Sequence, residues 1–281
     1  MKTITVTSEI IRKIYRPAGS TDHKGTRGDA LIIGGSYGKI GAVSLSAKAA
    51  LKSGCGLVTA YVPKCGYDSL QASIPEVMVV TDINRLTITN IQLPIKPQAI
   101  GIGPGMGQEA KTKTAFYKFL KTNEIPLVID ADGLNMLSSL PKSRAFLTPG
   151  TILTPHPKEL ERLLGKRDTR ELLVEEAIAF SKRYEVVMVL KGAPTRIVDG
   201  DTVYENTTGN AALATAGSGD VLTGIITSLR AQGYLPVDAA VLGVYLHGLT
   251  ADIALPETGT ESFIASDIIS TLGKAFLSIA T

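Results

Sequence analysis

The chain has 281 residues, 44% of them hydrophobic and 28 of them glycine, with a mean hydropathy of +0.18, which fits one soluble α/β domain over residues 1–281 with a sizeable core. Its 29 basic and 26 acidic residues leave a net charge of +3 without a basic run, which argues against a nucleic-acid partner. The N-terminal stretch M-K-T-I-T-V-T-S-E-I-I-R-K has no uninterrupted apolar core, so no signal peptide or membrane span is expected and a cytoplasmic location is.

Taken in order, strands alternate with helices. Ala30 to Ile33 reads as a short buried strand ending in Gly34-Gly35, Gly41 to Ser53 as a helix of small residues and Leu57 to Val62 as the returning strand, together a βαβ unit. Cys55 and Cys65, the only cysteines, have no C-x-x-C spacing and read as reduced thiols. Ala99 to Ile102 leads into Gly103-Pro-Gly-Met-Gly107 and a helix from about Glu109 to Lys121, and Pro126 to Asp130 is the next strand. A strand at Thr151 to Thr154 precedes helices over Lys158 to Leu164 and Thr169 to Tyr184, followed by the strand Val186 to Leu190. Arg196 to Val203 reads as a hairpin centred on Asp199-Gly200. Helices over Pro236 to Leu255 and Ser262 to Ile279 close the chain, and their apolar residues Phe263, Ile264, Phe276 and Leu277 suit either a core or an interface. Nearly continuous apolar strands imply a sheet covered on both faces, with ligands at the C-terminal strand ends.

Functional-type groups sit where those strands end. Gly103 to Gly107 follows one strand, Asp130-Ala-Asp132-Gly-Leu-Asn135 another, Thr154-Pro-His156-Pro-Lys-Glu159 a third and Lys191-Gly-Ala-Pro-Thr195 a fourth. Beyond them lies Asn206 to Arg230, where Gly217-Ser218-Gly219 opens a helix with Val221, Leu222, Ile225, Ile226 and Leu229 at helical spacing. The free amides and positive dipole of such a helix end suit a phosphate. Asp220 at its mouth either stabilises an empty helix end or accepts a proton from an attacking hydroxyl.

Two motifs fail. Gly35-Ser-Tyr-Gly38-Lys39-Ile40 has Ile40 where a Walker A loop needs Ser or Thr, and adjacent Gly34 and Gly35 do not make G-x-G-x-x-G; the segment is a plain turn or a rest for a phosphate. His23, His156 and His247 are too far apart for a zinc motif, and His247 reads as a helix histidine with a satisfied hydrogen bond. Asp130, Asp132 and Glu159 are hard oxygen donors that suit Mg²⁺ held partly through water, or else turn-forming and capping groups.

The run A-G-S-G-D220-V-L-T-G resembles the Gly-Asp motif of the ribokinase-like superfamily. Five further segments extend the likeness: K-G-T-R-G-D-A-L-I-I-G-G-S-Y-G-K-I-G-A at residues 24 to 42, I-G-P-G-M-G at 102 to 107, V-I-D-A-D-G-L-N at 128 to 135, L-T-P-H-P-K-E-L at 153 to 160 and L-K-G-A-P-T at 190 to 195. With N-T-T-G-N-A-A-L-A-T-A-G-S-G-D at 206 to 220 they run in order over nearly the whole chain and resemble the ADP-dependent NAD(P)H-hydrate dehydratase family.

The resemblance implies a three-layer α/β/α sandwich with a mostly parallel sheet, standing alone without the epimerase domain that some relatives carry. It implies transfer of the terminal phosphoryl of ADP, or of ATP, to the ring hydroxyl of NADH hydrate or NADPH hydrate, with Mg²⁺, followed by loss of phosphate and recovery of the dinucleotide. By the same likeness Asp220 is the base, and the amides of Ala216, Gly217, Ser218 and Gly219 form the anion hole. Lys191, Gly192, Ala193, Pro194, Thr195 and Gly219 would then contact the adenine nucleotide, and Ala42, Gly105, His156 and Asp220 the hydrated dinucleotide. Sugar kinases of this fold usually carry N-x-x-E where this chain has Thr154-Pro-His-Pro-Lys-Glu159, so Glu159 is expected to reach Mg²⁺ through water. A homotetramer is also implied. The alternatives are a small-molecule kinase of the hydroxyethylthiazole type, disfavoured by T-P-H-P-K-E and I-G-P-G-M-G, and a nucleotide-binding sensor without turnover, disfavoured by Asp220.

Overall fold

In the computed structural model, which describes residues 1–280, the apolar runs assemble into one ten-stranded sheet. Thr281, the last residue of the expected domain, lies outside the described residues. The strands are β1 (Lys2–Thr5), β2 (Asp29–Ile33), β3 (Leu57–Val62), β4 (Met78–Thr81), β5 (Ala99–Ile102), β6 (Leu127–Ile129), β7 (Ile152–Leu153), β8 (Val187–Leu190), β9 (Arg196–Asp199) and β10 (Thr202–Glu205). Their spatial order is β1-β10-β9-β8-β7-β6-β5-β2-β3-β4, and only β9 runs antiparallel to its neighbours. The chain lays β2, β3 and β4 outward in one direction, then crosses back to place β5 on the other side of β2. This reversal puts the topological switch point at the C-terminal ends of β2 and β5, the place where open α/β sheets bind ligands.

Two-residue periodicity decides which side chains face which layer. Leu31, Ile33, Leu127 and Ile129 pack with α4 (Ala110–Thr122), α5 (Ala131–Ser139), α6 (Pro157–Leu164) and α7 (Arg170–Tyr184). Their alternates Ala30, Ile32 and Val128 face the opposite layer, built from α1 (Ser8–Ile14), α2 (Ile40–Lys52), α3 (Tyr67–Ser73), α8 (Ser218–Ala231), α9 (Pro236–Ser262) and α10 (Ala265–Ala280). The expected three layers are therefore present.

Helix α8 is the buried spine of that second layer. Val221, Leu222, Ile225, Ile226 and Leu229 are all at most 3% exposed, and each such side chain contributes about 1.5–3 kcal/mol by burial. Gly224 lets α2 approach closely: a Cβ there would lie 2.1 Å from the Ser46 carbonyl oxygen. Helix α9 is long and apolar enough to cross a membrane by composition, but its run Ala239 to Gly248 is buried, as befits a core helix.

Some boundaries differ from expectation. The hairpin loop is Gly200-Asp201, one residue later than predicted, because Asp199 still pairs with Thr202 and Gly200 takes the positive φ of 54° that a two-residue turn favours. Helix α9 continues past Leu255 to Ser262, with a non-helical break at Gly259. Strands β1 and β4 and helices α1, α3 and α5 were not anticipated. Of the four C-terminal apolar residues, Phe263 is buried in the core, whereas Ile264 and Leu277 are 54% and 71% exposed.

Candidate active site

The N-terminus of α8 opens over the strand ends. Gly217 precedes the helix with φ 84°, and a side chain there would collide with Leu45, so the turn needs glycine. The first bond from α8 back to the preceding turn runs from the Val221 amide to the Gly217 carbonyl (3.0 Å), and the Ser218 amide donates to Thr215 at 3.4 Å. The amides of Gly219 and Asp220, in the first turn, have no helical carbonyl to reach and are available to an anion. The Ser218 side chain turns inward, 3.1 Å from Nε2 of His247, whose ring N–H donates to the Ser218 carbonyl at 3.0 Å. Burial pushes His247 down to about 4, so this imidazole is a neutral prop beneath the turn, as the sequence suggested.

Beneath Gly219 lies a buried ion pair that spacing did not reveal. Lys191, just after β8, reaches Asp130, just after β6, at 2.8 Å, and the Asp130 carboxylate is only 2% exposed. The other Asp130 oxygen accepts from the Thr223 hydroxyl at 2.8 Å. Asp130 makes no side-chain capping bond at the start of α5, but its carbonyl accepts from the Gly133 amide at 2.9 Å in the turn that opens that helix, so it is turn-forming and not a side-chain cap. A Cβ on Gly219 would sit 3.1 Å from Lys191 Nζ and 3.6 Å from Asp130 Oδ2. Glycine thus leaves open the space between the helix mouth and the lysine. Thr223 follows Gly219 by one helical turn on the same face, the one sequence signal that would have found it.

Asp220 is held in the same field. Burial, then the negative charges of Asp130 and Asp132, push its carboxyl up to about 6, with Lys191 opposing. Its carbonyl accepts from Ser46 Oγ at 2.7 Å, and the same hydroxyl reaches the Ala42 carbonyl at 3.2 Å. Ala42 in turn abuts the loop after β5: a Cβ on Gly105 would lie 3.1 Å from the Ala42 Cβ. Ala42, Gly105 and Asp220 are therefore neighbours beside the β2–β5 switch point. Asp132 organises the outer rim, accepting from the Gly107 amide (2.8 Å) and Gln108 (3.1 Å), with Lys39 4.0 Å away.

His156 begins α6 as part of a capping box. Its Nδ1 accepts from the amides of Lys158 (3.1 Å) and Glu159 (3.4 Å), while Glu159 Oε2 accepts from the His156 amide at 2.9 Å. An accepting Nδ1 places the ring proton on Nε2, which faces Glu159 Oε1 at 3.4 Å. Burial and the charge of Lys191 lower His156, so it is neutral. Burial pushes Glu159 up to about 7, with Lys191 opposing and Asp130 adding to the rise. The Lys191 amide donates to the Pro155 carbonyl at 3.0 Å, tying this loop to the β8 end.

The Gly192 to Pro194 segment is exposed and joins the cluster through Lys191. Thr195 Oγ1 closes the loop on the Gly192 carbonyl at 2.9 Å, and Arg170 donates to the Ala193 and Pro194 carbonyls at 3.2 and 2.7 Å. Arg170, from α7, is a further site element that sequence spacing missed.

No group of three His, Cys, Asp or Glu side chains forms a metal cage among the described residues. Asp130, Asp132 and Glu159 all accept from protein donors, and Glu159 is in addition a buried carboxylate whose ionised form a nearby cation would favour. This donor set fits a magnesium ion carried mainly by phosphates and water, and not an all-protein site.

Fold and site together define the class: a ribokinase-like α/β domain with a phosphate-ready helix end, an acid at its mouth and a lysine beneath it. The sequence model of the NAD(P)H-hydrate dehydratase family matches residues 30–274. The chain is 38% identical over 271 residues to the ADP-dependent (S)-NAD(P)H-hydrate dehydratase of Neisseria meningitidis, covering 93% of this chain and 88% of that one. It is 39% identical over 265 residues to the bifunctional NAD(P)H-hydrate repair enzyme of Moorella thermoacetica, covering 90% of this chain; the chain spans about half the length of that relative and of others of its kind. The Bacillus subtilis ADP/ATP-dependent NAD(P)H-hydrate dehydratase, co-crystallised with ATP and Mg²⁺, superposes with a TM-score of 0.84 at 28% identity over 97% of both chains. The chain belongs to the NAD(P)H-hydrate dehydratase family.

Proposed function

We propose that this protein dehydrates NADH hydrate and NADPH hydrate at the expense of ADP. The observation that carries the reading is Asp220: a carboxylate pushed up to about 6 at the mouth of an anion-ready helix, in a chain of this family. Ionised at neutral pH yet closer to it than an ordinary aspartate, Asp220 takes the proton of the ring hydroxyl. The hydroxyl oxygen then attacks the terminal phosphorus of ADP, and the bond to the bridging oxygen breaks to release AMP. The turn Ala216 to Gly219 forms the anion hole in this reading, with the free amides of Gly219 and Asp220 holding the charge that develops on the phosphoryl oxygens while the Ser218 amide stays on Thr215, and Lys191 opposes that charge from below. The ring carbon–oxygen bond next breaks with loss of a ring proton, phosphate leaves, and the double bond returns. Mg²⁺ belongs to the same proposal: Glu159 would hold it through water, and once bound it supplies positive charge to the phosphates.

Ala42, Gly105 and His156 line the dinucleotide side and Lys191 to Thr195 the adenine nucleotide side in this reading. Family membership favours dehydration over the hydroxyethylthiazole-type kinase alternative, which would stop at the phosphate ester, and over a sensor without turnover. A homo-oligomer, expected as a tetramer, finds support in the exposed Ile264 and Leu277; a cytoplasmic location is proposed with it.

The test mixes purified protein with hydrated NADH, Mg²⁺ and either ADP or ATP and follows near-ultraviolet absorbance and phosphate release. Nucleotide-dependent recovery of the dihydronicotinamide band is the expected result, and the two arms identify the donor. Folded protein that consumes nucleotide with small alcohols but never restores the band would move the assignment to a kinase.

A further inference from the structure

A concavity of about 340 Å³ lies at the opposite end of α8 from Asp220. Leu229 and Gln232 contribute to it, and Leu229 is nine residues beyond Asp220, roughly 14 Å along the helix axis. Arg27 and Gly54, also in its wall, precede β2 and β3, so it opens at the N-terminal rim of the sheet, away from the strand ends that form the catalytic cluster. Its size falls within the range of small-molecule sites.

Its lining is chemically specific. Arg16, Arg27 and Lys52 all face it, and none of them takes part in an ion pair among the described residues. The one acidic member, Asp22, is engaged by the Gly19 amide (2.9 Å) and the Thr26 hydroxyl (3.4 Å) of its own loop. Arg16 is held in place, its guanidinium 4.0 Å from the Tyr234 ring centre and its amide donating to the Tyr234 hydroxyl at 2.9 Å. Pro17, Leu229 and Phe276 supply an apolar wall. Arg27 comes from the K-G-T-R-G-D stretch, which no step of the proposed reaction uses.

We infer that this cavity is a second binding site for a small organic phosphate. Three unpaired cations recognise the phosphate and the apolar wall packs against the organic part, without recourse to the catalytic cluster. Calorimetric titration of the full chain with glycerol 3-phosphate, inorganic phosphate and glycerol tests it, with ADP titrated separately as a control for the catalytic end. Arg27→Gln and Lys52→Gln are each expected to weaken glycerol 3-phosphate about tenfold or more, leaving ADP affinity unchanged. Lys52 is exposed at the end of α2, so Lys52→Gln carries the test even where Arg27→Gln fails to fold. Inorganic phosphate binding as tightly as the ester would assign the site to free phosphate, and weaker binding to the ester. Absence of binding to the wild type, or wild-type affinity in both variants, overturns the inference.

Discussion

Replacing Asp220 by asparagine is expected to stabilise the protein while removing its activity. The carboxyl is held at about 6 against an ordinary 3.8, a difference of about two pH units at about 1.36 kcal/mol each, so ionising it costs the folded state roughly 3 kcal/mol. A negative charge in the first turn of α8 recovers roughly 0.3–1 kcal/mol from the helix dipole, too little to reverse the sign. Asp220→Asn removes both effects and leaves a net gain of roughly 2 kcal/mol. The pH dependence follows from the raised folded value. Between about pH 4 and 6 the folded state binds more protons than the unfolded one, so this contribution to stability falls as pH rises through that window. Thermal melts should then coincide for wild type and variant near pH 4 and separate by about 4 °C at pH 8, the variant being higher. Turnover should fall by roughly 10²–10⁴, with ADP binding retained. A variant that melts below wild type at pH 8 would make Asp220 a helix-stabilising carboxylate, and near-normal turnover would remove it from the role of base.

Other substitutions probe the neighbouring contacts. Lys191→Met leaves Asp130 buried without its cation and should cost roughly 3–5 kcal/mol in urea unfolding, a loss that Asp130→Asn in the same chain should largely relieve. Thr223→Val removes the hydroxyl from Asp130 and should cost roughly 1–3 kcal/mol, whereas Thr223→Ser should melt near wild type. Gly219→Ala improves helix propensity by about 1 kcal/mol but projects a methyl 3.1 Å from Lys191 Nζ. Its melting temperature should hold or rise while calorimetric ADP affinity drops at least about tenfold; unchanged affinity would separate this gap from the nucleotide.

The sequence by itself determined the buried strands β2, β3, β5, β6 and β8, because a strand covered on both faces must be apolar throughout, and with them the helices α2, α4, α6 and α7. It also determined the helix end at Gly217 and the acid at 220, since turn chemistry and the first helical turn are local. Strands β1 and β4 were invisible: their residues are mostly exposed or half-buried, and what makes them strands is a partner elsewhere, Thr202 to Glu205 for β1 and Thr59 to Val62 for β4. The same reason hid half of the site. Asp130 and Lys191 are 61 residues apart, and the carboxylate of one meets the ammonium of the other only because β6, β7 and β8 lie side by side. Burial then raises the Asp220 carboxyl to about 6, with the charge of Asp130 adding and that of Lys191 opposing, a quantity set by the enclosing walls and by no local pattern. The cavity at the far end of α8 is likewise tertiary, for Arg16, Lys52 and Phe276 become neighbours only when α1, α2 and α10 pack in one layer.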